Sequence, residues 1–165
     1  MVDQVEYLTR EGFERFSAEL SYLKEVRRRE VAERIREAIA EGGDLMENAG
    51  YEIAKHEQSL VEGRIQQLEM LLGNAQPIEE PPDERMAGTV CRNSLVTLQQ
   101  DGEPPLTYRI VGPAEASPHE GMISYESPLG RALMGRHAGE KIILSAPGGQ
   151  YTYRILHVAD VSEGS

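Results

Sequence analysis

Asp44 and Glu47 stand three positions apart in the stretch Glu41-Gly42-Gly43-Asp44-Leu45-Met46-Glu47-Asn48-Ala49-Gly50-Tyr51. Two carboxylates at that spacing have two uses. The first is structural. Asp44 as N-cap and Glu47 at the third helical position, reaching back, make a capping box that satisfies open backbone N–H groups. The second is metal chemistry. Mg2+ takes hard oxygen ligands in an octahedron, commonly one or two carboxylates, with waters and substrate phosphates filling the rest. Two carboxylates on a narrow turn cannot close such a site alone. They complete one whose other ligands belong to a partner.

What holds this stretch is a pair of helical patterns. Before it, apolar residues recur at Phe13, Phe16, Leu20, Leu23, Val26, Val31, Ile35 and Ile39. Steps of three and four give an amphipathic helix, and the five-residue step from Val26 to Val31 predicts a phase shift in its middle. Thr9 is the expected N-cap, and Arg10 to Glu41 would span about 48 Å. After it, Ile53, Leu60, Val61, Ile65, Leu68 and Leu72 form a second stripe, from Glu47 to Leu72 and about 39 Å long, with Gly73-Asn74 as the stop. Gly42 and Gly43 end the first helix and let the chain reverse. The expectation is an antiparallel helical hairpin with an acidic tip at 42–51 and charged outer faces. Lys24, Arg27, Arg28, Arg29, Arg34 and Arg36 read either as solvated helix faces or as a basic band behind the tip, able to hold an RNA phosphate.

Gly43-Asp44-Leu45-Met46-Glu47-Asn48-Ala49-Gly50-Tyr51 resembles the hairpin-tip motif Gly-Asp-Leu-x-Glu-Asn-x-x-Tyr of the bacterial Gre transcript-cleavage factors, in their GreA-like branch. The resemblance implies that the hairpin is a coiled coil entering the secondary channel of RNA polymerase. There Asp44 and Glu47 would help hold a second Mg2+ with its water, and the polymerase would cut RNA that has slid backwards. It also implies that Asn48 and Tyr51 shape the tip, and that Arg34, Arg36 and Lys55 contact RNA or polymerase. The chain departs from the family pattern at three positions. Met46 stands where lysine is common, Gly50 where glutamate is common, and Ala40 where many relatives have arginine. None of these is a proposed metal ligand.

Beyond the hairpin the pattern changes. Gln76-Pro77-Ile78-Glu79-Glu80-Pro81-Pro82-Asp83-Glu84 is proline-rich and acidic and reads as an extended linker, 76–84, between a rod domain at 1–75 and a second domain at 85–161, with a tail at 162–165. Strand candidates follow at 90–91, 95–98, 106–111, 122–125, 141–144 and 151–158, separated by Asp101-Gly102, Gly112-Pro113 and Pro147-Gly148-Gly149. A short helix is expected from Pro128 to Gly135, capped by Ser127. The fold class is therefore α+β, an antiparallel sheet with one helix following the hairpin. Ser127-Pro128-Leu129-Gly130-Arg131-Ala132-Leu133-Met134-Gly135 and Ala146-Pro147-Gly148-Gly149 resemble the second Gre motif region. In that family the domain is FKBP-like and docks on the polymerase rim.

The net charge of −11 repels free nucleic acid. Contact with the nascent RNA 3′ end and DNA is expected only inside a polymerase complex. The single cysteine, Cys91, suits a reducing cytosol, and no leader or apolar run points to a membrane. A cytoplasmic monomer is expected. His56, His119, His137 and His157 are scattered, without zinc spacing, and no nucleophile elbow or phosphate-binding glycine loop is present. The chain would be an accessory factor rather than an enzyme. Two alternatives share this architecture: a channel-binding inhibitor without cleavage activity, and a prolyl isomerase. Against the isomerase, tryptophan is absent and both phenylalanines fall in the rod.

Overall fold

The computed structural model describes residues 4–78 and 88–160. The chain forms two compact units. One is Glu11–Ala75, and the other combines Val5–Arg10 with the described residues from Gln76 onward. The second unit is thus built from both ends of the chain, and residues 5–10, placed with the rod by the sequence, pack with the sheet.

The first unit is the helical hairpin. Helix α1 runs Arg10–Tyr22, a single π-helical stretch covers Leu23–Arg27, and α2 continues over Arg28–Ala40. The Arg28 N–H donates to the Leu23 carbonyl five residues back. That wider turn absorbs the five-residue step and keeps the apolar stripe on one side. The return helix α3 is Ala49–Gly73. Val31 and Ala38 are buried on the outgoing strand of the rod, and Ala54, Val61, Ile65 and Leu68 on the return. Spacings of seven, four and three are those of a coiled-coil seam.

Several residues expected in the stripe lie outside it. Phe13, Val26, Ile39, Ile53 and Leu60 are exposed, Ile53 at 62%, while Ala54 beside it is 2% exposed. Near the tip the seam is made of alanines, whose small side chains let two helices approach closely. The larger neighbours are turned outward. The rod also carries ion pairs across its helices. Lys24 meets Glu69 at 2.6 Å, Arg28 grips both oxygens of Glu62 at 2.8 and 2.9 Å, Arg64 grips both of Glu19 at 2.7 and 2.9 Å, and Arg34 pairs with Glu57.

In the second unit five strands form one sheet in the order β5-β4-β3-β7-β6: β3 Ser94–Gln100, β4 Leu106–Val111, β5 Met122–Ser124, β6 Lys141–Ala146 and β7 Gly149–Asp160. All pairings are antiparallel except β4 with β5, which is parallel. The sheet is antiparallel as expected apart from this one pair. The connection makes two 3-10 turns, Pro113–Glu115 and Pro118–Glu120, which bring the chain back in its original direction. Val90-Cys91 is not a strand. Thr89 makes one isolated bridge to His137, and Val90 belongs to the core. That core joins Val90, Val96, Leu98, Ile110, Ile123, Leu133, Ile142 and Ile155. Leu133 comes from α4, Pro128–Leu133, capped as expected by Ser127, whose hydroxyl accepts the Gly130 N–H.

The short strands β1, Glu6–Leu8, and β2, Ala75–Pro77, form a second, two-stranded sheet. Of the expected linker, Gln76 and Pro77 lie in β2 and Ile78 is buried, its N–H donating to the Leu8 carbonyl at 3.1 Å. Residues 79–87 and the tail at 162–165 lie outside the described residues. Tyr7 presses its carbonyl against Gly112 so closely that a Cβ there would sit 2.3 Å from it. Buried Glu115 accepts the Thr9 N–H at 2.7 Å and the Thr9 hydroxyl at 2.6 Å. A carboxylate from a distant turn thus satisfies the residue that begins α1. Among the described residues, no helix is long and apolar enough to cross a membrane.

Candidate functional site

The tip is built by two glycines, one aspartate and one asparagine. Gly42 and Gly43 adopt φ of 78° and 86°, a left-handed pair that side chains rarely allow. They release the chain from α2 into a 3-10 turn, Leu45–Glu47. Asp44 caps that turn. Its Oδ1 accepts the Met46 N–H at 3.0 Å, and its backbone carbonyl accepts the Glu47 N–H at 3.1 Å.

Asp44 therefore does not cap the long return helix, as the capping box would have it. That cap is Asn48, whose Oδ1 accepts the Tyr51 N–H at 3.0 Å. The Asn48 amide also donates to the Ala38 carbonyl of α2 at 3.0 Å. One side chain starts α3 and ties it to the end of α2. The sequence singled out Asn48 only as a turn-forming or tip-shaping residue. Its spacing to Tyr51 is that of an N-cap to the third helical residue, but the bond to Ala38 has no sequence signal.

The cap leaves chemistry available. Asp44 is exposed, with its second carboxylate oxygen uncommitted, and exposed Glu47 has no side-chain partner among the described residues. Both project from the 3-10 turn at the far end of the hairpin. The donor set is hard oxygen, which suits Mg2+. It is also incomplete: no group of three or more His, Cys, Asp or Glu side chains that could hold a metal ion occurs among the described residues. Asp44 and Glu47 fit as part of a shared site. Between them Met46 is 86% exposed and offers a flexible apolar contact. Gly50 lies in the first turn of α3, where a Cβ would sit 3.3 Å from the Asn48 Oδ1. Tyr51 is half-buried.

The cations expected to touch RNA or polymerase are engaged within the rod. Arg34 is paired with Glu57, Arg36 with Glu33 at 2.8 Å, and Lys55 donates to the Gln58 side chain at 3.1 Å. Arg27 lies 2.6 Å from Glu30 and 3.8 Å from Glu57. Hydrogen bonds from the guanidiniums push Glu62, facing Arg28, and Glu19, facing Arg64, below the ordinary carboxylate range. The same bonds raise Arg27, Arg28 and Arg64. All these residues are at least partly exposed, so water screens the pairs, and they can open toward a phosphate.

Residues 6–76 match the family described as transcription elongation factor, N-terminal, and residues 85–160 match transcription elongation factor GreA/GreB, C-term. The chain is 47% identical over 151 residues to transcription elongation factor GreA of Thermomicrobium roseum, covering 92% of this chain and 95% of that one. It is 46% identical over 162 residues to GreA of Geobacillus kaustophilus, covering 96% and 99%. Among solved structures it is similar to GreA factor homolog 1 of Thermus thermophilus, at 30% identity, coverage of 94% and 99%, and a TM-score of 0.42.

Proposed function

This chain belongs to the GreA/GreB family of transcription elongation factors, and from that premise we propose that it stimulates cleavage of backtracked RNA by RNA polymerase. The hairpin enters the secondary channel and presents Asp44 and Glu47 to the polymerase active site. The observation that carries this reading is the state of the tip. Asp44 spends one oxygen on holding the turn and keeps the other, and Glu47 keeps both.

The two carboxylates bind Mg2+ jointly with the polymerase's own ligands. When bound there, the ion supplies Lewis-acid activation of water for attack on an RNA phosphodiester. The rest is positioning by this chain. Gly42 and Gly43 turn the tip, the Asp44 side chain fixes the 3-10 turn that carries Glu47, and Asn48 locks both helices behind them. A site preorganised in this way loses little on engagement. Arg34, Arg36 and Lys55 steer the RNA by exchanging their glutamate and glutamine partners for phosphate oxygens. The catalytic centre is the polymerase's. This chain is its accessory, acting in the bacterial cytoplasm.

The test is a backtracked elongation complex with Mg2+, comparing the wild type with Asp44→Ala, Glu47→Ala and Asn48→Ala. Cleavage stimulation should fall by about 100-fold or more for either carboxylate and by about tenfold for Asn48→Ala, with polymerase binding retained. Undiminished cleavage with Asp44→Ala would refute the assignment. Slowed nucleotide addition without cleavage by the wild type would make the chain a channel inhibitor instead.

A further inference from the structure

On the sheet face opposite the core, the second unit carries cations that the chain does not neutralise. The register fixes who shares that face. Lys141 of β6 stands directly across from Arg154 of β7, and Arg154 across from Gln99 of β3. The adjoining residues Ile142, Ile155 and Leu98 point the other way, into the core. Thr97 and Thr107 bond through their hydroxyls at 3.0 Å on the same outer face, and His157 lies across from Thr97. Among the described residues neither Lys141 nor Arg154 has a carboxylate within ion-pair distance. The rod's paired arginines are the contrast. Like charges directly opposite on two strands weaken a sheet, so fold stability does not account for this arrangement.

Two further observations say what would meet it. Ile143, two residues along the same face from Lys141, is 64% exposed. And β6 ends the sheet order, so no strand of the described chain pairs with its outer edge. An open edge accepts an added extended chain, whose backbone continues the ladder while alternate side chains meet one face. Nucleic acid is the poorer occupant. This face offers no aromatic platform for bases, since Tyr108 and Tyr153 pack against the core, and the open backbone N–H and C=O groups of an edge strand are matched by another extended chain, not by a sugar-phosphate backbone. We infer that β6 is a docking edge for an extended segment of a partner protein in which acidic and apolar residues take turns at every second position, so that both line the outer face, the carboxylates reaching Lys141 and Arg154 and the apolar side chains Ile143.

The site lies in a different unit from Asp44 and Glu47, so its test is independent of RNA cleavage. The probe is a fluorescein-labelled decapeptide with threonine at every even position and glutamate and valine taking turns at the odd ones, so that both face Lys141 and Ile143, titrated against the full chain by anisotropy. A lysine–valine decapeptide and a short single-stranded RNA run in parallel. The acidic peptide should bind, more weakly at high salt, and lose about tenfold in affinity with Lys141→Glu/Arg154→Glu or with Ile143→Ser. Amide shifts on binding should concentrate in residues 141–146. The single substitution Lys141→Glu replaces a like pair with an opposite one, so it should weaken peptide binding while leaving Tm unchanged or higher. Equal binding of the lysine peptide, preference for the RNA, no binding of the acidic peptide, or binding that survives the double reversal would each overturn the inference.

Discussion

Ile65 in the rod and Ile155 in the sheet are about equally hidden, at 2% and 0% exposure, but their surroundings differ. Ile155 sits among Val96, Leu98, Ile110, Leu133 and Ile142, closed in by strands and a helix. In the rod's seam Ile65 shares a cluster of buried residues with Val31 and Val61, and the side chains packed against it, Leu20, Leu23 and Ile35, are themselves only partly buried. The rod supplements that seam with ion pairs at its rim, whereas the sheet has a thicker apolar interior. Both units are ordered, but by forces that answer differently to salt, acid and cavity formation. A rod that must stay slender has little interior to use. Its outer charges must supply part of the cohesion and remain free to change partners.

The largest test of this contrast is the same substitution in both places. Ile155→Ala should cost about 2–5 kcal/mol at the upper end of that range, because an enclosed site relaxes poorly. Ile65→Ala should fall toward its lower end, because two helices can close over the gap. Denaturant titrations in a Tyr22→Phe/Tyr51→Phe background, which removes the rod's tyrosines, followed by tyrosine fluorescence for the sheet unit and far-ultraviolet circular dichroism for the helices, would separate the two. Equal costs would remove the distinction.

Next in size is Gly112→Ala. The new methyl would meet the Tyr7 carbonyl, a backbone atom that cannot swing aside. About 1–3 kcal/mol should be lost, with β1 the first element to gain hydrogen exchange. An unchanged exchange pattern in residues 6–8 would show that β1 is held some other way.

The smallest effect belongs to the rod's rim. A double-mutant cycle on Glu19 and Arg64, both about one-third exposed, should give a coupling of roughly 0.2–1 kcal/mol at low salt that fades at high salt. The pH dependence follows from the lowered carboxylates. Glu19 and Glu62 bind protons less readily folded than unfolded. Their contribution is present above the ordinary carboxylate value of about 4.3 and is lost as the pH falls through the lowered folded values. In the same Tyr22→Phe/Tyr51→Phe background, acid titration should therefore reduce helical dichroism before it disturbs the tyrosine signal of the sheet unit.

Much of this was legible in the residues. The glycine pair, the two stripes and the change from helical to alternating pattern gave the hairpin and the sheet. The step from Val26 to Val31 announced the irregular turn at Leu23–Arg27. The seam's true edge was not legible at Ile39, Ile53 and Leu60, because polarity ranks Ile above Ala while close helix approach favours the smaller side chain. Nor was β1, a three-residue strand whose neighbours β2 and Gly112 are distant in sequence. The bond from Thr9 to Glu115 was not legible either, since nothing near Glu115 in the chain announces a partner 106 positions away. At the tip, Asp44-x-x-Glu47 and Asn48-x-x-Tyr51 are both cap-like, and only the fold decides that Asn48 starts the helix while Asp44 holds the turn before it.

The π-helical stretch at Leu23–Arg27 has a consequence for the tip's heading. Each residue in a helix turns the chain by about 100°, so the wider loop of backbone there sets the compass bearing of every side chain beyond it. Deleting one residue from this stretch would leave a smooth helix whose distal half is rotated by about a quarter turn or slightly more. Val31 and Ala38 would then swing off the seam while Phe16 stayed on it. Insertions and deletions of one residue, harmless in many exposed helices, are therefore barred from this arm, and the register of its middle turn fixes which flank of the tip leads.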